Sequence, residues 1–282
     1  MDVATHILKD DSAKHGVQRN MDVATHILKD DVGVQRNMVK IVILIISSFD
    51  LHGYAEMKRL SHTYYSLFPN DIRFFYIEAR DQEEESVEDG NTLYLKGTES
   101  VTPGIYLKTM KALQHIQSNY EYDFVLRTNL SSFFNIPHVI QYFQTKPLQH
   151  FAGGFPVFWF TSGTCICFSR DVGELLTQDI RYGDDTHDDV LISRLLDEKH
   201  ISRQGLEPFD VRYFLQGYCK EHVQNLTEDE VNRILFYRCK NANRMDDVRY
   251  FQDLLQRIYQ SPLQAKLAPD LVVEGFHPSD HC

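Results

Sequence analysis

The chain has 282 residues, 43% hydrophobic and 24% charged, with a net charge of −11. That is enough apolar material for one large domain or two small ones, and the acidity argues against nucleic acid or an anionic membrane as partners. Five cysteines are too few for a disulfide framework, no CxxC or HxxxH pair offers a zinc site, and no run approaches the roughly 18 apolar residues of a membrane span, so a reducing compartment, the cytoplasm, is expected.

The chain opens on a direct repeat. MDVATHILKDD at Met1–Asp11 recurs at Met21–Asp31, and GVQRN at Gly16–Asn20 recurs at Gly33–Asn37. Two copies of a short polar unit do not make a solenoid. Residues 1–38 are expected to be a duplicated, flexible leader, 39–260 the folded domain, and the proline-punctuated 261–282 a loose extension.

Val39–Ser47, VKIVILIIS, is β-branched and apolar almost throughout, the pattern of a parallel strand covered on both faces. Tyr54–Phe68 carries Met57, Leu60, Tyr64, Leu67 and Phe68 on one helical stripe. Ile72–Ile77 reads as a second strand, the acidic Asp81–Asp89 as a solvated loop, and Thr92–Lys96 as a third strand. Pro103 opens a helix to about Ser118. Tyr122–Ser132, YDFVLRTNLSS, is the most informative segment, an apolar strand running into convergent polar groups. An α/β sheet presents a ligand in this way at its carboxyl edge.

The second half is less regular. Pro137–Gln144 reads as a helix, Phe151–Phe160 as an aromatic, glycine-bearing stretch, and Thr161-Ser162-Gly163 as a turn. Thr164–Ser169 follows as a strand in which one of Cys165 and Cys167 is expected to face the core. Helices are predicted at Asp171–Leu176, Val190–Leu196 and Asp246–Tyr259, with Phe236–Lys240 before the last. Alternating strands and helices predict an α/β fold, a mainly parallel sheet flanked by helices.

The ordered series of Ser47-Ser48, GNTLYLKGTES, PGIYLKTMKAL, YDFVLRTNLSSFF, TSGTCICFSRDVGELL and HDDVLISRLL resembles the inverting glycosyltransferases of the β-1,3-galactosyltransferase and Fringe type. In that family a KT-bearing helix precedes a strand of the form DFVLKTDDD. A strand of the form GxGYVLS then leads to Asp and a short helix, and EDV opens the next helix. The resemblance spans about Val39–Leu196, with a weaker echo to Tyr259. It implies a GT-A fold, Rossmann-like, mixed and mainly parallel, in a single domain. It also implies a nucleoside-diphosphate sugar as donor and a glycan acceptor. Family members are usually membrane-anchored, and a chain without an anchor suggests a viral, bacterial or algal relative, or a truncated domain, with the viral or algal origin favoured.

The family's DXD carboxylates bind a divalent cation; the aligned residues here are Thr128-Asn129-Leu130-Ser131. Neutral Asn and Ser oxygens are weak ligands for Mn²⁺ or Mg²⁺, which leaves the metal open. Arg127, Arg238, Lys240 and Arg244 are candidates to replace its charge, because guanidinium groups grip phosphate bidentately. Asp189 matches the D of EDV and is the candidate base, with Asp188 second; alternatively Asp188 caps the helix that follows. Ser47, Ser48, Glu99, Lys108, Asn129 and Ser131 are candidate nucleotide contacts, and Trp159 a stacking surface for the acceptor. Two other readings compete. One is a catalytically inactive nucleotide- or carbohydrate-binding module, favoured by the loss of DXD. The other is a sugar-phosphate nucleotidyltransferase, against which no glycine-rich loop follows the first strand.

Overall fold

Strand β1 (Ile41–Ile46) is buried from Ile41 to Ile45, as its unbroken apolar run demands, with Ile46 partly buried at its end. The computed structural model describes residues 39–48, 53–182, 186–214 and 223–267, all of which belong to one unit, Asn37–Cys282. The duplicated leader lies outside the described residues. β1 pairs in parallel with β2 (Ile72–Arg80) and β5 (Phe124–Asn129), and β4 (Thr92–Lys96) lies parallel beyond β2. β3 (Ser86–Asp89), β7 (Ala152–Val157), β8 (Phe160–Ser169) and β9 (Arg203–Gln204) complete an eight-stranded sheet of order β3-β4-β2-β1-β5-β8-β7-β9. A second sheet joins β10 (Asp210–Phe214), β11 (Ile234–Cys239) and β6 (Ser132–Phe134).

The period-two alternation of β1 feeds two cores. Ile41, Ile43 and Ile45 share one with Met57, Leu60 and Tyr64 of α1 (Tyr54–Tyr65) and with Phe251 and Leu254 of α7 (Arg244–Leu267). Val42 and Leu44 share the other with α2 (Gly104–Asn119), α4 (Arg170–Thr177) and α5 (Asp188–Glu198). The remaining helices are α3 (Ile136–Gln144) and the short α6 (Glu228–Val231). The result is a mixed α/β fold, its mainly parallel sheet flanked by helices. No helix among the described residues is long and apolar enough to cross a membrane.

This topology gathers chain ends at one edge. Ile46 pairs with Asn129, and the Leu130 N–H donates to the Ile46 carbonyl at 3.1 Å, so β1 and β5 finish together. β8 is antiparallel to β5, with Thr128 opposite Cys165, so its beginning lies where β5 ends. β6 leaves β5 directly and pairs with β11, setting Ser132 opposite Arg238.

Several expectations are corrected. The acidic segment is not all loop, because Ser86–Asp89 pairs antiparallel with β4 as an edge strand. Charged side chains suit such an edge, where they discourage further pairing. Thr161-Ser162-Gly163 is not a turn but the opening of β8; the turn is Phe158-Trp159, between paired Val157 and Phe160. Cys165 and Cys167 are both buried in the core, because residues two apart on a strand share a face. The last helix continues through Leu267, so the loosening placed at Ser261 does not hold for 261–267; residues 268–282 lie outside the described residues.

Candidate active site

Two polar clusters occupy the carboxyl edge. The first surrounds the end of β1. Ser47 is buried, and its hydroxyl donates to Glu78 Oε1 at 3.1 Å, where the Lys58 ammonium also closes. From α2, Lys108 donates to the Ser47 carbonyl at 2.8 Å and to both Glu99 oxygens at 2.7 and 2.9 Å. Glu99 Oε1 also accepts the Ala79 N–H at 2.7 Å. These contacts use all three ammonium donors. Lys108 therefore braces the ends of β1 and β2 from within the protein. Burial lowers its pKa, against the opposing pull of Glu99 and Glu78.

The second cluster surrounds the end of β5. Arg127 is buried, pairs through Nη2 with Asp188 Oδ2, and donates through Nη1 to the Gly163 carbonyl at 2.6 Å. Asp188 is the first residue of α5, just after His187 at the N-cap position, and its side chain pairs with Arg127. Burial raises the Asp188 carboxyl above its ordinary value; Arg127 opposes this and Asp189 adds to it. Asp189 is partly exposed, accepting the Gly163 N–H on Oδ2 at 3.0 Å and the Val190 N–H on Oδ1 at 2.9 Å. A Cβ at Gly163 would stand 2.5 Å from Arg127 Nη1, so a larger residue there would displace the guanidinium.

Asn129 links this cluster to β11. Its amide donates to the Gly163 carbonyl at 3.3 Å, and its Oδ1 accepts from the Ser132 hydroxyl at 3.2 Å and from Arg238 Nη1. Ser131 Oγ in turn accepts from Arg244 Nη1 at 3.4 Å, and Asp247 Oδ2 holds the same nitrogen at 2.8 Å. Burial, reinforced by Arg244, lowers the Arg238 pKa to about 10. Lys240 is exposed just beyond β11.

These residues do not fit a divalent cation. Asn129 and Ser131 each offer a neutral oxygen that already faces a guanidinium. A cation there would meet two like charges with no carboxylate among its ligands. Among the described residues, no three His, Cys, Asp or Glu side chains converge as a metal site.

The structure thus links Arg127, Asn129, Asp188, Asp189 and Arg238 by hydrogen bonds that run through the Gly163 backbone, while Ser131 meets Arg244. Ser47, Glu99 and Lys108 form the neighbouring cluster, and Ser48 lies at the same strand end, partly exposed. Trp159 stands apart at the tip of the β7–β8 hairpin, 52% exposed beside Phe158 at 97%. Glu78, Lys58 and Gly163 were missed by the sequence reading. Only Glu78 left a usable signal there, as the lone acidic residue inside the apolar IRFFYIEAR strand.

No protein-family model matches the chain, and no curated protein matches it in sequence. Among solved structures, the chain is similar to a glycosyltransferase involved in glycosylation of the major capsid of PBCV-1, with a TM-score of 0.44 at 11% identity over 76% of this chain and 98% of that one. It is also similar to the apo form of the glycosyltransferase GlyE of Streptococcus pneumoniae TIGR4, with a TM-score of 0.43 at 9% identity over 80% of this chain and 64% of that one.

Proposed function

We propose that the protein is a glycosyltransferase that moves a sugar from a nucleoside-diphosphate sugar to a carbohydrate hydroxyl with inversion. One observation carries the reading. A continuous set of contacts, Asp189 to Gly163 to Asn129 to Arg238, joins a carboxylate to a buried cation across the ends of β8, β5 and β11. Inverting transfer asks for those two groups: a base at the acceptor oxygen, and positive charge at the departing diphosphate.

In this reading Asp189 takes the acceptor proton as that oxygen attacks the anomeric carbon. The bond from carbon to diphosphate oxygen breaks, and the new bond forms on the opposite face. Its two backbone donors fix the orientation of Asp189 and leave lone pairs for the acceptor hydroxyl. Asp188 is neutralised by Arg127 and acts as a positioning residue. The ends of β1 and β5, at Ser47 and Asn129, frame the nucleotide, with Lys108 and Glu99 bracing the first of them. Trp159 lends an aromatic face to the acceptor. Buried free thiols at Cys165, Cys167 and Cys239 fit a reducing, cytoplasmic setting.

Titration calorimetry with UDP, GDP and dTDP tests the reading. Binding of at least one nucleotide is expected, and a folded protein that binds none contradicts it. The second reading, an inactive binding module, is favoured by the neutral residues at positions 129 and 131. Nucleotide binding without sugar transfer to any acceptor would select it.

A further inference from the structure

We propose that Arg238 and Arg244 form a subsite that holds the donor's diphosphate directly, in place of a divalent cation. The name diphosphate rests on the transferase reading; the anion site itself rests on charge. Arg238 is only 9% exposed, and no carboxylate among the described residues pairs with it. Among the described residues, its guanidinium donates to the neutral Asn129 Oδ1. A buried guanidinium facing an amide keeps an uncompensated charge and free donors, an arrangement that an incoming anion relieves.

The second arginine sharpens this. Asp247, fully buried, accepts the Asn241 N–H at 2.9 Å and the Asn241 amide at 2.7 Å on one oxygen, and holds Arg244 at 2.8 Å on the other. The carboxylate thereby fixes both the turn after β11 and the aim of Arg244 toward Ser131. Arg244 also lies close enough to Arg238 to disfavour its charged form. Asp247 offsets the charge of Arg244, so the uncompensated charge is that of Arg238, while Arg244 adds guanidinium donors for a further phosphate oxygen. Asn129 and Ser131, which a metal would need as carboxylates, serve here as acceptors that orient the two arginines.

The test is calorimetry on the full chain with inorganic phosphate, pyrophosphate and UDP, in EDTA and again with Mn²⁺. Pyrophosphate and UDP are expected to bind in EDTA, pyrophosphate more tightly than phosphate, with little change on adding Mn²⁺. Arg238→Gln should weaken both by roughly 10- to 100-fold, the loss of a charge-assisted bond. Without ligand, its melting temperature should be no lower than that of the wild type, an outcome a merely structural arginine would not give. Binding that appears only with Mn²⁺, or Arg238→Gln binding like wild type, overturns the proposal. Should Arg238→Gln not fold, Arg244→Gln decides by the same titration. Failure of this site is distinct from failure of the transferase reading. Pyrophosphate binding without any sugar transfer leaves the subsite standing, whereas Mn²⁺-dependent transfer insensitive to both arginines removes the subsite and keeps the transferase.

Discussion

Arg127 and Asp188, 61 residues apart in sequence, form a buried ion pair between the end of β5 and the first turn of α5. Both charges are out of water, so the pair is worth less than its contact suggests, while an orphaned member is costly. Asp188→Ala should therefore lose about 3–5 kcal/mol by leaving Arg127 unpaired. Asp188→Asn keeps an acceptor for the guanidinium but leaves its buried charge unbalanced, so it should lose less than Asp188→Ala, about 1–3 kcal/mol. Denaturant unfolding of the two variants separates them; equal losses would mean that the charge, not the contact, stabilises the joint.

The same carboxyl gives a pH dependence with a definite sign. Burial raises its pKa in the folded state. The folded protein therefore binds this proton more readily than the unfolded chain, and stability falls as pH rises from the ordinary carboxylate value through the folded one. Relative to wild type, Asp188→Asn should gain stability across that window and then level off. Unfolding midpoints of both proteins across the acid range check this, and a wild type that gains stability relative to Asp188→Asn as pH rises contradicts it.

Gly163→Ala would press a methyl group onto Arg127 Nη1 at 2.5 Å. The Arg127 side chain must then leave the Gly163 carbonyl, disturbing the pair with Asp188. The expected cost is about 1–3 kcal/mol, the range for overpacking a tight site, together with a fall in turnover. Thermal unfolding and transfer assays measure the two, and an unchanged protein would show that the contact has slack.

Phe158 and Trp159 form the tip of the β7–β8 hairpin, and Phe158 holds a left-handed backbone with φ of 51°. Both rings are exposed, so Trp159→Ala should change stability by no more than about 0.5 kcal/mol. If Trp159 carries the acceptor, the acceptor KM should rise while donor affinity stays constant. An unchanged acceptor KM removes Trp159 from the acceptor site.

Much of the sheet was legible because β1, β4 and β5 announce themselves by unbroken or alternating apolar runs. β3 was not, because acidic edge residues read as a solvated loop and only pairing with β4 makes them a strand. Thr161-Ser162-Gly163 carries turn composition, yet its small residues serve close approach to Arg127 and Asp189. The aromatic pair that does make the turn carries no turn signal. Asp188 and Asp189 could be singled out from sequence, but not which of them pairs with Arg127. Likewise the sequence separation of 109 between Asn129 and Arg238 hides their contact, which only the β6–β11 pairing creates.

Release of nucleoside diphosphate from UDP-, GDP- and dTDP-sugars with carbohydrate acceptors, by wild type beside Asp189→Asn, decides whether this edge performs sugar transfer. Wild type should release nucleotide from at least one donor, and faster with acceptor present. Asp189→Asn should lose roughly 10²–10⁴-fold in turnover, the contribution of a positioned base. It should keep its nucleotide affinity, because Asp189 bonds to the Gly163 and Val190 N–H groups and not to the arginine pair. A folded wild type that releases nucleotide from no donor, or an Asp189→Asn protein that transfers sugar at a near-normal rate, would contradict it.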